Sequence, residues 1–257
     1  LQAYCLKKME AIVLDSHVDG YLQNGIEVRS GDCVVDVGAN IGLFAIRIAM
    51  RFPDSKVIAC EPIPPIFGIL EANAERHGGG RVLPRNLAVG GEEGILDLTY
   101  FPNSPALSTA HPEQWEGDED MLEQAVKGTA ESAPGILKWA RFLPSFVHKV
   151  IATRMRADGI PFQTPVRPLS AILEDAGVTE VGLLKIDCEG AEWAVLTGVE
   201  ASLWPRIRQV VIEVHDLEGR LQKVRDLLKQ HGFSKQVVEQ EQGLEGTKLY
   251  NVFALRE

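Results

Sequence analysis

The chain has 257 residues, 45% hydrophobic and 24% charged, enough to bury one sizeable core without disulfide or metal staples. Its net charge of −10 is the wrong sign for the basic face of a nucleic-acid binder, so no nucleic-acid partner is expected. No apolar run reaches the length of a bilayer span and no signal peptide is recognisable, so a cytoplasmic protein is expected.

Residues 1–24 read as helical. Ser30-Gly31-Asp32 then turns the chain into Cys33-Val34-Val35-Asp36-Val37, a short apolar run rich in β-branched residues and so a buried strand. After Gly42 a helix pattern runs through 43–50 and stops near Pro53. A second strand at 56–60 leads to Glu61-Pro62, and a helix at 65–77 ends in Gly78-Gly79-Gly80. Residues 81–89 read as a third strand and 96–101 as another, at an edge or in a hairpin.

Residues 103–163 break this rhythm. Pro102, Pro105 and Pro112 precede an acidic stretch at 113–123, and a basic amphipathic stretch follows at 137–156. Alternation resumes with a helix from Ser170 to Ala176, a strand at 181–186 and a helix at 189–198. A strand at 208–214, a helix at 217–231 closed by Gly232, and a hairpin of 233–238 with 248–255 complete the chain. Strand–helix alternation predicts an α/β fold, a mostly parallel sheet covered on both faces, with an antiparallel pair at its end. The whole chain, 1–257, is expected to be one domain, with 1–24 as a helical cap and 103–163 as an inserted lid. Of the four scattered cysteines, Cys33, Cys60 and Cys188 lie in apolar runs, as buried free thiols do; Cys5 is the fourth.

In open α/β sheets ligands bind beyond the carboxyl ends of the strands. The turn Gly38-Ala39-Asn40-Ile41-Gly42 follows the first strand. The dinucleotide pattern G-x-G-x-x-G would need glycine at Asn40 and at Leu43. Asp36, before the turn, would repel a pyrophosphate and suits a cationic ligand such as a sulfonium amino acid. Glu61, one strand–helix–strand unit later, is placed to accept hydrogen bonds from two ribose hydroxyls.

With Glu61-Pro62, Leu184-Lys185-Ile186-Asp187-Cys188-Glu189-Gly190-Ala191-Glu192, Val211-Ile212-Glu213-Val214-His215-Asp216 and Tyr250-Asn251-Val252-Phe253-Ala254, the turn makes a combination that resembles the FkbM-type methyltransferase family. The resemblance runs from about Tyr21 to Arg256, except for much of 103–163, and is closest to members associated with polyketide and nonribosomal peptide assembly lines. It implies the Rossmann-like seven-stranded methyltransferase sheet, S-adenosyl-L-methionine as cofactor, and methyl transfer to oxygen. The residues expected to hold the cofactor are Asp36, Gly38, Asn40, Gly42, Glu61, Pro62, Asn86, Ala88 and Asp187. The implied acceptor is a hydroxyl on a small molecule or on a carrier-tethered polyketide or peptide. Sugar hydroxyls and nitrogen are alternatives on the same fold.

Oxygen methylation needs alignment, worth roughly 7–11 kcal/mol, and a base, worth about 10²–10⁴-fold. His215, at the carboxyl end of a strand and titrating near working pH, is the expected base. Asp187 and Glu189 are the further catalytic candidates, Asp187 facing the cofactor's amino group or the acceptor. No metal is expected: Asp187, Glu189 and Asp216 could hold magnesium, but no compact ligand spacing appears. His111 and His148 could line a pocket from the insertion, and His17 could cap the site. Period two puts Lys185 with Asp187, and Glu213 with His215, so a Lys185–Glu213 ion pair is expected between neighbouring strands.

In the insertion, Trp139, Phe142, Leu143, Phe146, Val147, Val150 and Ile151 recur at near-helical spacing, with Pro144 separating two helices and the second running over 145–157. With Lys138, Arg141, Lys149, Arg154 and Arg156 the segment is a lid helix with solvated charges or, at 138–156, a docking face for an acidic acyl or peptidyl carrier protein. The 103–108 loop, with Ser108, is placed to close over the site. Two other classes compete: a nicotinamide-dependent reductase, weakened by Asn40, and a noncatalytic binding module, weakened by the intact turn.

Overall fold

The computed structural model describes residues 2–112, 145–240 and 247–256. The described elements begin with α1 (Lys8–His17), a 3-10 turn (Val18–Leu22), β1 (Cys33–Val37), α2 (Leu43–Arg51), β2 (Lys56–Cys60), α3 (Pro64–His77) and β3 (Val82–Arg85). Then come β4 (Ala88–Gly90), β5 (Gly94–Tyr100), α4 (Ser145–Met155), β6 (Ile160–Pro168), α5 (Leu169–Asp175) and β7 (Leu183–Ile186). The last are α6 (Glu192–Thr197), β8 (Gln209–His215), α7 (Arg220–Gln230), β9 (Lys235–Glu239) and β10 (Leu249–Leu255).

Seven strands form one sheet in the order β3-β2-β1-β7-β8-β10-β9. The first five are parallel, and β10 runs antiparallel to both β8 and β9. This is the expected α/β sheet with its antiparallel hairpin at the carboxyl end. β1 is buried at every position and β2 at all but Lys56, because helices cover both faces. Period two divides the core. Val35, Val37, Leu184, Ile186 and Ile212 pack on one face with Trp204 and Phe233, and Val34, Leu183 and Val211 pack on the other with α2, Tyr21 and Phe253.

The chain goes from β1 to β2 on one side and later returns to β7 on the other. The strand order therefore reverses between β1 and β7, and a crevice opens beyond their carboxyl ends. A second sheet, β4-β6-β5, flanks that crevice.

Two readings of the sequence are corrected here. Residues 81–89 are not one strand: β3 joins the large sheet and β4 the small one. Between them the Asn86 side chain donates to the carbonyls of Glu61, at 2.9 Å, and Pro62, at 3.2 Å, which pins the bend. The end of the segment read as an insertion is strand β6, whose prolines disguised it. Pro161 and Pro165 pair only with β5, because β4 reaches only Val166 to Pro168 and leaves the other edge of β6 open at both. The second helix of the insertion is present as α4, whereas the acidic stretch at 113–123 and Trp139, Phe142 and Leu143 lie outside the described residues. Cys33 and Cys60 are buried free thiols, Cys188 is half-buried, and Cys5 is exposed.

Candidate functional site

The turn after β1 is shaped by backbone. The Gly38 and Ala39 amides both donate to the Cys60 carbonyl, at 3.0 and 2.9 Å, which curls the turn over the end of β2. Gly38 has φ +78°, and a Cβ there would overlap the Asp187 carbonyl oxygen and stand 2.7 Å from its carbon. Only glycine lets the two strand ends approach so closely. Asn40 also takes a left-handed conformation, φ 50°, its side-chain oxygen accepting the Ile41 amide at 2.7 Å. Gly42, φ 84°, caps α2 against Leu70.

Glu61 is held by two amides: Asn40 donates to Oε2 at 3.0 Å and Ile63 to Oε1 at 2.9 Å. Each oxygen keeps a second lone pair. Burial, only partly offset by those amides, pushes its carboxyl up to about 7.

Lys185 stands opposite Asp36 in the β1–β7 register, with Nζ 3.0 Å from Asp36 Oδ1 and 3.4 Å from Asp187 Oδ2. The expected Lys185–Glu213 pair is thereby corrected. Lys185 is in register with Val211 on β8, so Glu213 lies two residues further on, while a carboxylate faces Lys185 directly on β1. Burial alone would lower this lysine, but Asp36 and then Asp187 hold it above its ordinary range. Asp36 is pushed up by burial although Lys185 opposes this. One ammonium shared between two carboxylates keeps its proton securely and compensates each of them only in part. The Lys185 ammonium also lies 4.9 Å from the centre of the Tyr21 ring.

Beyond β7, Glu189 has φ 50°, unusual for a glutamate, and its carbonyl accepts the Thr109 hydroxyl at 2.5 Å. Its carboxyl is raised well above the usual range by burial and by the neighbouring Asp187 and Glu192. His215 stands behind it, Nε2 3.7 Å from Glu189 Oε2 and Nδ1 3.3 Å from Glu192 Oε1. Glu192 is fully buried and accepts the Gly190 amide at 2.6 Å. Burial would lower the His215 imidazole, but Glu192, then Glu213 and Asp187, outweigh it and the net shift is upward.

A cavity of about 210 Å³ joins these parts. Of the residues predicted from sequence, Gly38, Asn40, Glu61, Pro62, Ala88, Asp187 and Glu189 line it. Asp36, Gly42, Asn86 and His215 stand behind the wall: Asp36 is 0% and His215 2% exposed. The amino-terminal cap contributes Leu14 and His17 from α1 and Tyr21 from the 3-10 turn after it, and the 104–110 loop contributes Ser108 and Thr109. That loop is fastened to the cap by Glu10, whose carboxylate accepts the Ala106 amide at 2.6 Å. Sequence reasoning missed Tyr21 and the pairing of Lys185 with Asp36. Among the described residues no set of three His, Cys, Asp or Glu converges as metal ligands, and Asp216 accepts the Leu221 amide at 2.9 Å.

These residues fit an S-adenosyl ligand. A Cβ-free turn permits close approach, a carboxylate pinned by amides keeps lone pairs for a diol, and Asp187 suits a cationic amino-acid end. Fold and site together define a Rossmann-like methyltransferase. Residues 36–235 match the Methyltransferase FkbM domain family, and the chain belongs to that family. It is 39% identical over 239 residues to the 31-O-demethyl-FK506 methyltransferase FkbM of Streptomyces tacrolimicus, covering 92% of this chain and 85% of that one. It is 29% identical over 245 residues to methyltransferase sdnD of Sordaria araneosa, covering 91% of this chain and 86% of that one. It is also 33% identical over 258 residues to the AMB antimetabolite synthetase AmbE of Pseudomonas aeruginosa, covering 98% of this chain but only 12% of that protein. The family makes this chain an S-adenosylmethionine-dependent methyltransferase. No described helix is long and apolar enough to cross a membrane.

Proposed function

We propose that this chain methylates a hydroxyl of a small-molecule or carrier-tethered polyketide or peptide metabolite. The observation that carries the reading is Glu189, a carboxylate on the cavity wall with its pKa raised, beside the turn that would hold the methyl donor. The relative named for 31-O-demethyl-FK506 and the match to part of a synthetase support the acceptor class.

S-adenosylmethionine, when bound, supplies an electrophilic methyl group on a sulfonium centre. Glu61 would accept the ribose hydroxyls, the Gly38–Asn40 backbone would line the donor closely, and Asp187 would accept its α-ammonium. Pro62 and Ala88 complete that wall, while Asn86 and Gly42 hold it in shape from behind. Asp36 acts through Lys185. The base is reassigned from His215 to Glu189. A histidine behind the cavity wall, its proton stabilised by Glu192, is poorly placed to accept one from an acceptor. Glu189 lines the cavity, and its raised pKa makes its ionised form a stronger proton acceptor than an ordinary carboxylate. Leu96, Leu98, Pro105 and Ala106 give the remaining wall an apolar character suited to an alcohol. An acidic carrier protein would dock on the basic segment 138–156.

The test is incubation with labelled donor and a panel of free and carrier-bound hydroxy-acyl, sugar and amine acceptors. Label on hydroxyls is expected; label on amines alone overturns the oxygen assignment.

A further inference from the structure

The amino-terminal cap reaches into the site through one side chain. Tyr21, in the 3-10 turn Val18–Leu22, is 9% exposed and lines the cavity. Its hydroxyl donates to Asp187 Oδ2 at 2.8 Å, across 166 residues of sequence. Its ring packs edge-on against Phe44, centroids 5.6 Å apart, and lies under the Lys185 ammonium. Lys185 contacts the same Asp187 oxygen, at 3.4 Å. Among the described residues both polar contacts of this carboxylate therefore fall on Oδ2, which leaves the Oδ1 lone pairs for a ligand. The backbone around it is equally fixed: the Asp187 amide donates to the Val37 carbonyl at 3.0 Å, and its own carbonyl sits against Gly38.

We propose that Tyr21 is a positioning residue of the methyl-donor site: by holding Asp187 Oδ2 it presents Oδ1 to the donor's α-ammonium, so the cap is part of that site. The proposal rests on the reading of Asp187 as the acceptor for that ammonium. A hydrogen bond to an ionised carboxylate is stronger than a neutral one and also fixes the direction of the remaining lone pairs. Losing it frees the Asp187 side chain to rotate, and the cost falls on whatever binds Oδ1. It should not fall on the adenosine end, which Glu61 holds on the far side of the turn.

The test is calorimetric titration of the full chain with two probes, S-adenosylhomocysteine and 5′-methylthioadenosine. The second lacks the amino-acid end. Tyr21→Phe keeps the ring and its contacts with Phe44 and Lys185. It is expected to weaken S-adenosylhomocysteine about tenfold and leave 5′-methylthioadenosine unchanged. Equal weakening of both probes would reduce Tyr21 to a packing residue, and no weakening of either would remove it from the site; each overturns the proposal. Asp187→Asn tests the underlying reading separately, and is expected to discriminate between the probes at least as strongly. If it does not, Asp187 does not meet the ammonium and that reading fails first.

Discussion

Removing the Lys185 ammonium by Lys185→Met leaves Asp36 as an uncompensated charge in the sheet. Lys185 is 3% exposed and Asp36 0%, so water replaces neither partner. Breaking such a pair costs about 3–5 kcal/mol, a large part of the roughly 5–15 kcal/mol that holds a domain together. For a chain of this size that lowers Tm by on the order of 10 °C. The pH dependence follows from the sign of the shift. Burial already raises Asp36, and losing Lys185 raises it further. A carboxyl with a folded pKa above its unfolded value binds more protons when folded, so stability falls as pH rises between the two values. The variant should therefore lie nearest the parent in acid and furthest from it at neutral pH. Asp36→Leu added to Lys185→Met removes both charges and should recover most of the loss, since apolar replacements of a buried pair are often neutral or better. Urea unfolding followed by tryptophan fluorescence at several pH values reads all three proteins. A single-variant loss below about 1 kcal/mol, or a double variant no more stable than the single, would refute the reasoning.

Three more outcomes are expected. Gly38→Ala forces a Cβ into the Asp187 carbonyl and strains a left-handed backbone, so S-adenosylhomocysteine binding should be abolished and stability reduced, both readable by calorimetry. Because burial pushes the Glu61 carboxyl up to about 7, affinity for S-adenosylhomocysteine should fall as pH drops below that value. Glu61→Gln should bind weakly with a flat profile, and a parent profile flat from pH 6 to 8 would count against this role. Glu189→Gln should lower kcat by about 10²–10⁴-fold and, with the donor saturating, abolish the acid limb of the kcat profile. His215→Asn should keep that limb and move it to higher pH, because a cation beside Glu189 is lost; disappearance of the limb in His215→Asn would return the base role to His215.

The parts of the site that depend on local backbone were legible in the sequence. Glycine at 38 and 42 with asparagine at 40 marks a left-handed turn whatever surrounds it, and Glu61 follows its strand by simple counting. Side-chain partnership was not legible. Period two put Lys185 with Asp187 and Glu213 with His215, but only the strand register makes Asp36 on β1 the partner of Lys185. His215 was correctly put at the carboxyl edge of β8, yet its depth behind Glu189 depends on the α6 loop folding over it. Tyr21 gave no signal, since its partner is 166 residues away. Strand β6 was hidden by Pro161 and Pro165, which are tolerated because only one edge is paired there.

The central claim is that the crevice between β1 and β7 holds an S-adenosyl ligand. Calorimetric titration of the unmodified chain with S-adenosylhomocysteine and, separately, with NADH tests it most directly. One S-adenosylhomocysteine per chain and no heat from NADH is the predicted result; NADH binding without S-adenosylhomocysteine binding would contradict the account.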